Sequence, residues 1–534
     1  MRTIQKVHEV KRLISKDKTS IDFPTDYSST PITVQSLWST SELRNHMAMK
    51  YLSDSPHTQA AAHLLFAVGL SLGLLSIHSS AGAESNGELQ AGAYAIDITP
   101  TKFPISSNGQ FDDVQATAAH DPLHARCLVL DNGETRIAIV VCDSAAIPRD
   151  ILDAAKQIAS QHTQIPVENI LISATHTHSA VTVAGVFSSE PEEAYCKYLT
   201  DRIAAGIQKA ASQLEPARIG WAVASDPTQV FNRRWFIHAA YKHTDPLGHG
   251  TDRVKTNPGR ADLHEPAGPI DPEIAMLSVQ SRDGRPIALL ANYSLHYVGG
   301  VPPKMLSADY FGEFARRITQ HIGAFDLNPS FVGIMSNGTS GDINNANFRT
   351  PSGPQAEPFE QIRRVTASVA DAAYQEYKNI EYHDQVPLKM CETEIELGVR
   401  LPSASDLDHA KMILQTGPAG YYQKIYARET VLVAKFPSTV RVKLQAIRIG
   451  DLGIVSSPCE TFVETGLAIK KQSPLQPVFT IELANGYNGY LPTPEQHQLG
   501  GYETWRARSS YLAVDAEPKL RSTLLALLKE VAAD

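Results

Sequence analysis

Residues 169–179, N-I-L-I-S-A-T-H-T-H-S, constrain the chain more than any other stretch. Ile170-Leu171-Ile172 is an apolar run of the kind that forms a buried strand. It leads directly into two imidazoles one residue apart, His176 and His178. In an extended backbone the side chains of residues i and i+2 share a face, so both rings are expected to enter the same space. Strand ends are where α/β proteins place their sites. A metal site is one reading of the pair and two ordinary hydrogen-bonded histidines the other, and the pair alone does not choose.

Around this stretch strands and helices alternate. Residues 89–100 read as an alternating strand stopped by proline, and 124–130 and 136–143 as strands joined by Asp131-Asn132-Gly133. Helical spacing at 149–160 and 190–214 flanks the strand at 169–175. Further strands are expected at 217–224, 287–294, 331–335, 390–397 and 440–449, with helices at 310–322, 360–377, from Cys459, and at 517–531. Such alternation specifies an α/β fold, a mixed sheet with helices packed on it. No repeat, low-complexity tract or composition break divides 84–534, so a single large domain is expected. Residues 238–270 form a long Gly-, Pro- and Asp-rich loop whose His238, His243, His249 and His264 read mainly as solvated. The small-residue segment 336–345 is either a plain turn or a nest of backbone N–H groups for a ligand.

Composition narrows the class. With 43% hydrophobic and 20% charged residues, the chain is an ordinary globular one. A net charge of −9 gives no electrostatic footprint for nucleic acid or an anionic membrane. The five cysteines, Cys127, Cys142, Cys196, Cys391 and Cys459, include no C-x-x-C pair. Their odd number argues against a full disulfide framework, and Cys127 and Cys142 read as small core residues.

The uncharged run from Leu64 to Ile77 is followed by Ala81-Gly82-Ala83, the small-x-small form of a signal-peptidase site. The run is shorter than the roughly 20 residues a spanning helix needs. It lies far from Met1, whereas Met47 and Met49, followed by Lys50, offer a nearer start. Residues 1–46 are therefore expected to be an upstream extension and 47–83 a signal peptide cleaved after Ala83. Residues 84–534 are then a periplasmic or secreted domain; an uncleaved membrane anchor is the alternative.

Strand ends with metal-binding side chains occur at His176/His178, at His296, at Glu460 after Ser456-Ser457-Pro458, and at Tyr487/Tyr490. Two imidazoles and a carboxylate are a common zinc set. Nothing in composition selects these among 19 histidines and 57 acids. A resemblance does. Ile96-Asp97-Ile98-Thr99-Pro100, Ser173 to Ser179, Asn232-Arg233, Asn292 to His296 with Ser307-Ala308-Asp309, Ser457 to Phe462, and Leu483 to Tyr490 with Gly501-Tyr502-Glu503 resemble, in order and spread, the neutral ceramidase family of zinc-dependent amidohydrolases.

The resemblance implies His176, His296, Glu460 and Tyr490 as Zn2+ ligands, and His178, Arg233 and Tyr502 as catalytic or supporting groups. It also implies a single large catalytic domain of the neutral ceramidase type. Two departures stand out. Asn344 replaces the family's serine in the loop Gly341-Asp342-Ile343-Asn344-Asn345 and cannot act as a nucleophile; Ser340 nearby can give a hydrogen bond. The family's C-terminal immunoglobulin-like domain is expected to be missing, which puts substrate choice in doubt; Trp235, Phe236 and Tyr241 are candidates for a pocket lining. The expected function is exported, zinc-dependent hydrolysis of an amide in a lipid or small-molecule substrate. Peripheral membrane contact is possible for such a substrate, and neither nucleic acid nor a protein partner is expected. An esterase or deacylase on a substrate such as an acylated sugar is the alternative, and a metal-retaining binding protein without catalysis is the alternative of another class.

Overall fold

The computed structural model describes residues 87–533 apart from 239–242, 260–262, 351–355 and 417. The expected extension 1–46, the signal peptide 47–83 and Tyr241 lie outside the described residues.

One strand–helix unit occurs three times. The first comprises β1 (Gln90–Asp97), β2 (His124–Asp131), β3 (Arg136–Cys142), α1 (Arg149–Thr163), β4 (Ile170–Ala174) and α2 (Glu193–Ala211). The second repeats that order with β5 (Glu215–Ser225), β6 (Glu273–Ser281), β7 (Pro286–Tyr293), α3 (Asp309–Ile322), β8 (Val332–Asn337) and α4 (Glu360–Tyr377). In the third, helices α5 (Ala404–Thr416) and α6 (Tyr421–Val433) are inserted between β9 (Leu388–Gly398) and β10 (Thr439–Ile449). The unit then continues with β11 (Leu452–Ser456), α7 (Val463–Gln472), β12 (Val478–Ile481) and α8 (Ala516–Ala532). In every unit the first three strands pair antiparallel in chain order, and the fourth joins the third in parallel.

The repetition is of topology and not of residue identity, which is why the sequence shows no repeat. Each strand needs only apolar side chains on both faces, a demand that many sequences meet. β1 and β5 pair antiparallel and fuse two units into an eight-stranded sheet, ordered β8-β7-β6-β5-β1-β2-β3-β4. The third unit forms its own four-stranded sheet. Alternate residues sort the core into layers. On β2, Cys127 and Val129 face the α1–α2 side, while Leu128 and Leu130 face the second sheet. On β11, Ile454 faces the large sheet and Val455 the α7–α8 side. The order is helices, sheet, sheet, helices, a mixed α/β domain.

β4 and β8 run in opposite senses on opposite edges of the large sheet. A flat sheet would hold their C-terminal ends far apart. The sheet instead curls on itself, so that β8 comes up against β2, β3 and β4 across its face, and the loops after β4, β7 and β8 meet on one side.

Two sequence expectations change. Residues 460–461 do not begin a helix: Glu460–Thr461 is a two-residue strand paired in parallel with Tyr490–Leu491, and the helix starts at Val463. Helices α5 and α6 had no counterpart in the reading of 397–440. All five cysteines are free thiols, with Cys127 and Cys142 fully buried.

Candidate metal centre

The loops after the third and fourth strands of all three units build one site. β4 ends at Ala174, and the chain then turns at His176, whose φ of 74° is left-handed. The two imidazoles therefore converge through a strained turn and not through strand alternation, with ring planes 83° apart. His296 arrives three residues after β7. Glu460 arrives from the third unit, and the register Glu460↔Tyr490 sets the tyrosine beside it.

Every Nδ1 is engaged by a backbone carbonyl: His176 with Ala145 (2.6 Å), His178 with Gly109 (3.0 Å) and His296 with Ser340 (3.1 Å). A carbonyl only accepts, so Nδ1 carries the hydrogen and Nε2 of the neutral ring is a bare lone pair. Those lone pairs face one another. Nε2 of His176 lies 3.0 Å from Nε2 of His296 and 3.0 Å from Nε2 of His178. Protons do not relieve the conflict, because burial, reinforced by His176, pushes the His178 and His296 imidazoles well below their ordinary range.

Glu460 adds a buried Oε2 with no hydrogen-bond partner, 3.3 Å from His176 Nε2 and 3.9 Å from His296 Nε2. Its Oε1 accepts from the Tyr487 hydroxyl at 3.0 Å. A tetrahedral zinc with ligand bonds of about 2.0–2.1 Å has ligand–ligand edges of roughly 3.3–3.4 Å. Separations of 3.0–3.9 Å bracket that value. The donor set fits a divalent metal of the zinc type.

No protein-family model and no curated protein matches the sequence. Solved structures do match. Neutral ceramidase from Pseudomonas aeruginosa aligns with a TM-score of 0.62 at 18% identity, over 84% of this chain and 75% of that one. A ceramidase complexed with C2 aligns with a TM-score of 0.61 at 17% identity, over 83% and 75%. The chain has the neutral ceramidase fold.

Within that fold the expected site residues gather around one small cavity of about 50 Å³. His176, His178, Glu460, Tyr490 and Tyr502 line it. His296 stands behind His176. Arg233 is drawn in behind Tyr490: Nη2 donates to the Tyr490 hydroxyl (3.0 Å) and the Gly341 carbonyl (2.8 Å), and Nε donates to Glu503 (2.9 Å). The Tyr490 and Tyr502 rings meet edge to face, 5.7 Å between centroids.

His178 presents its Nε2 to the same point as the other two imidazoles, so position alone does not separate it from the expected ligands. Its ring stacks on Tyr297 at 3.8 Å between centroids, and it is the least buried of the three.

Sequence reasoning placed Tyr487 with Tyr490 at a strand end but gave no role to Tyr297, Glu482 or Glu503. Tyr297 adjoins His296 and could have been found by proximity; nothing in the sequence marked out the two carboxylates. The segment 336–345 is not a free nest. Ser340 N–H donates to Glu482, and Gly341 N–H donates to the Thr461 carbonyl. Asn344 faces away from the imidazoles and donates to Asn257. Trp235 is buried with its indole N–H on the Asn232 carbonyl and is not part of the cavity wall. Val186 and Phe187 take that place, backed by Phe111, whose ring is 4.5 Å from Phe187 and 5.1 Å from Tyr422.

Proposed function

We propose that the chain is a zinc-dependent hydrolase that cleaves the amide of an N-acyl amine of the ceramide type. The observation that carries this reading is the convergence of three bare Nε2 lone pairs and the unpartnered Glu460 Oε2 on one point. His176, His296 and Glu460 hold the metal, with Tyr490 beside Glu460 as the fourth protein ligand. Zinc bound there supplies a Lewis acid and brings the pKa of water toward 7.

The chain's own groups do the rest. Gly109 fixes Nδ1–H of His178, so its Nε2 is the atom that takes a proton and returns it to the leaving amine. Tyr502, on the cavity wall, donates to the carbonyl oxygen as negative charge develops there. Arg233 holds the Tyr490 hydroxyl and acts through it. Val186 and Phe187 give the cavity an apolar side suited to an acyl chain. Beyond them, Tyr422 and Tyr421 are half exposed at the start of α6, an apolar surface that suits contact with lipid.

Purified protein is expected to contain about one zinc per chain and to hydrolyse long-chain ceramides in a panel that also holds N-acyl amino acids, acetylated sugars and carboxylic esters. Full activity without metal would overturn the mechanism. Cleavage confined to sugars or esters would overturn the substrate. Export is part of the same reading, and N-terminal sequencing of exported protein is expected to begin at Glu84. Among the described residues no helix is long and apolar enough to cross a membrane.

A further inference from the structure

Glu482 immediately follows β12 and is fully buried, yet it touches none of the cavity. Its carboxylate is surrounded by donors from two other segments. Oε1 accepts from Ser340 Oγ (2.7 Å) and Asn337 Nδ2 (3.0 Å). Oε2 accepts from the backbone N–H of Thr461 (2.8 Å) and of Ser340 (3.3 Å). The Ser340 carbonyl is the group that fixes Nδ1 of His296, and Thr461 is the residue next to Glu460. One carboxylate thus fastens the loop that aims a histidine of the second unit to the strand that carries a carboxylate of the third.

Packing alone does not account for it. Burial pushes the Glu482 carboxyl well above the usual carboxylate range; such a buried acid is a poor source of stability, and a well-packed apolar residue in its place is often no worse. What an apolar residue cannot do is bind two sets of donors in fixed directions. Groups behind a ligand shell that orient the ligands typically change metal affinity 10–100-fold when removed.

We infer that Glu482 is the positioning residue of the metal centre, coupling His296 to Glu460 across two units. This rests on reading the imidazole cluster as a metal site. Two variants separate reach from the carboxyl group itself. Glu482→Asp keeps the carboxyl but is one methylene too short to serve both segments. Glu482→Gln keeps the reach, and Asn337, whose Oδ1 is otherwise unpartnered, can turn its amide to meet it.

Zinc affinity, measured by competition with a chelator, is expected to fall about 10- to 100-fold in E482D and by less in E482Q. The rise in melting temperature that zinc gives should shrink in the same order, whereas a merely structural role would lower the metal-free and metal-loaded melting points together. Zinc affinity of E482D within twofold of the parent, or E482Q weaker than E482D, overturns the inference. Should E482D not fold, Ser340→Ala, which removes one donor to Oε1, is expected to weaken zinc binding several-fold, and an unchanged affinity overturns the inference. A parent chain that binds no zinc overturns the metal-centre reading and this inference with it; a parent that binds while all variants bind equally overturns the inference alone.

Discussion

At the residue scale, what matters is which atoms are left without partners. The three Nε2 atoms and Glu460 Oε2 are starved of donors, and a metal answers that better than protons do. His176→Ala and Glu460→Ala are therefore expected to lose metal together with activity, measured by metal analysis of the purified variants. Tyr502→Phe should keep its metal and lose about 10²–10³ in kcat, the usual size of one oxyanion donor; loss of metal would move Tyr502 into the ligand set. Lys156 shows the opposite imbalance far from the site. It is fully buried, its Nζ has no hydrogen-bond partner, and Glu392 is 3.7 Å away. Burial lowers its pKa to about 8 from 10.5. A folded-state pKa below the unfolded one means that the charged form destabilises the fold: the cost is complete below pH 8 and vanishes above 10.5. Lys156→Met is expected to stabilise the protein by about 1–3 kcal/mol at pH 7, since an apolar replacement removes a buried charge while Lys443 and Gln445 still pair with Glu392. Urea unfolding at pH 7 and pH 10 checks this, because the advantage should shrink at the higher pH.

At the scale of elements, the same topology is used three times and the same positions in it serve the site. The loop after the third strand supplies Ala145, whose carbonyl aims His176, then His296, then Glu460. The loop after the fourth supplies His176 and His178, then Ser340, then Glu482 and Tyr490. These loops touch backbone to backbone. A Cβ on Gly341 would lie 2.5 Å from the Glu460 carbonyl oxygen and 2.9 Å from its carbon. Gly341→Ala must push Glu460 aside, since neither contact is a flexible side-chain end. The expected result is a stability loss of about 1–3 kcal/mol and zinc binding at least ten times weaker, read by melting and chelator competition.

At the scale of the whole molecule, the candidate ligand atoms come from all three units, and the eight-stranded sheet must curl on itself before those of its two units can meet. Metal binding is then linked to the packing of one sheet on the other. A ligand that binds only the folded chain stabilises it by about 4 kcal/mol at a thousandfold excess over its Kd. Chelation is expected to lower the melting temperature by several degrees, reversibly on adding zinc, and to do so much less in His176→Ala. An unchanged melting temperature would argue against a metal shared by the three units.

The sequence by itself determined the strands, because alternating or continuous apolar runs bury themselves whatever their neighbours, and with them the α/β class. Through the resemblance of its short motifs to those of a known family it also pointed to His176, His178, His296, Glu460, Arg233, Tyr490 and Tyr502, a choice that strand position alone did not make. What it lacked was everything that depends on residues distant in the chain. The threefold unit is carried by pairing rather than identity, and α5 and α6 have an apolar pattern weaker than that of α1 to α4. The loop 336–345 gives the Ser340 N–H and hydroxyl and the Asn337 amide to Glu482 because Glu482, some 140 residues later, folds against it. Tertiary structure also replaced the simple account of His176 and His178. Strand alternation would have paired them locally, but a left-handed turn aims them at a third imidazole 120 residues away, and that long-range meeting makes the pair a candidate metal site.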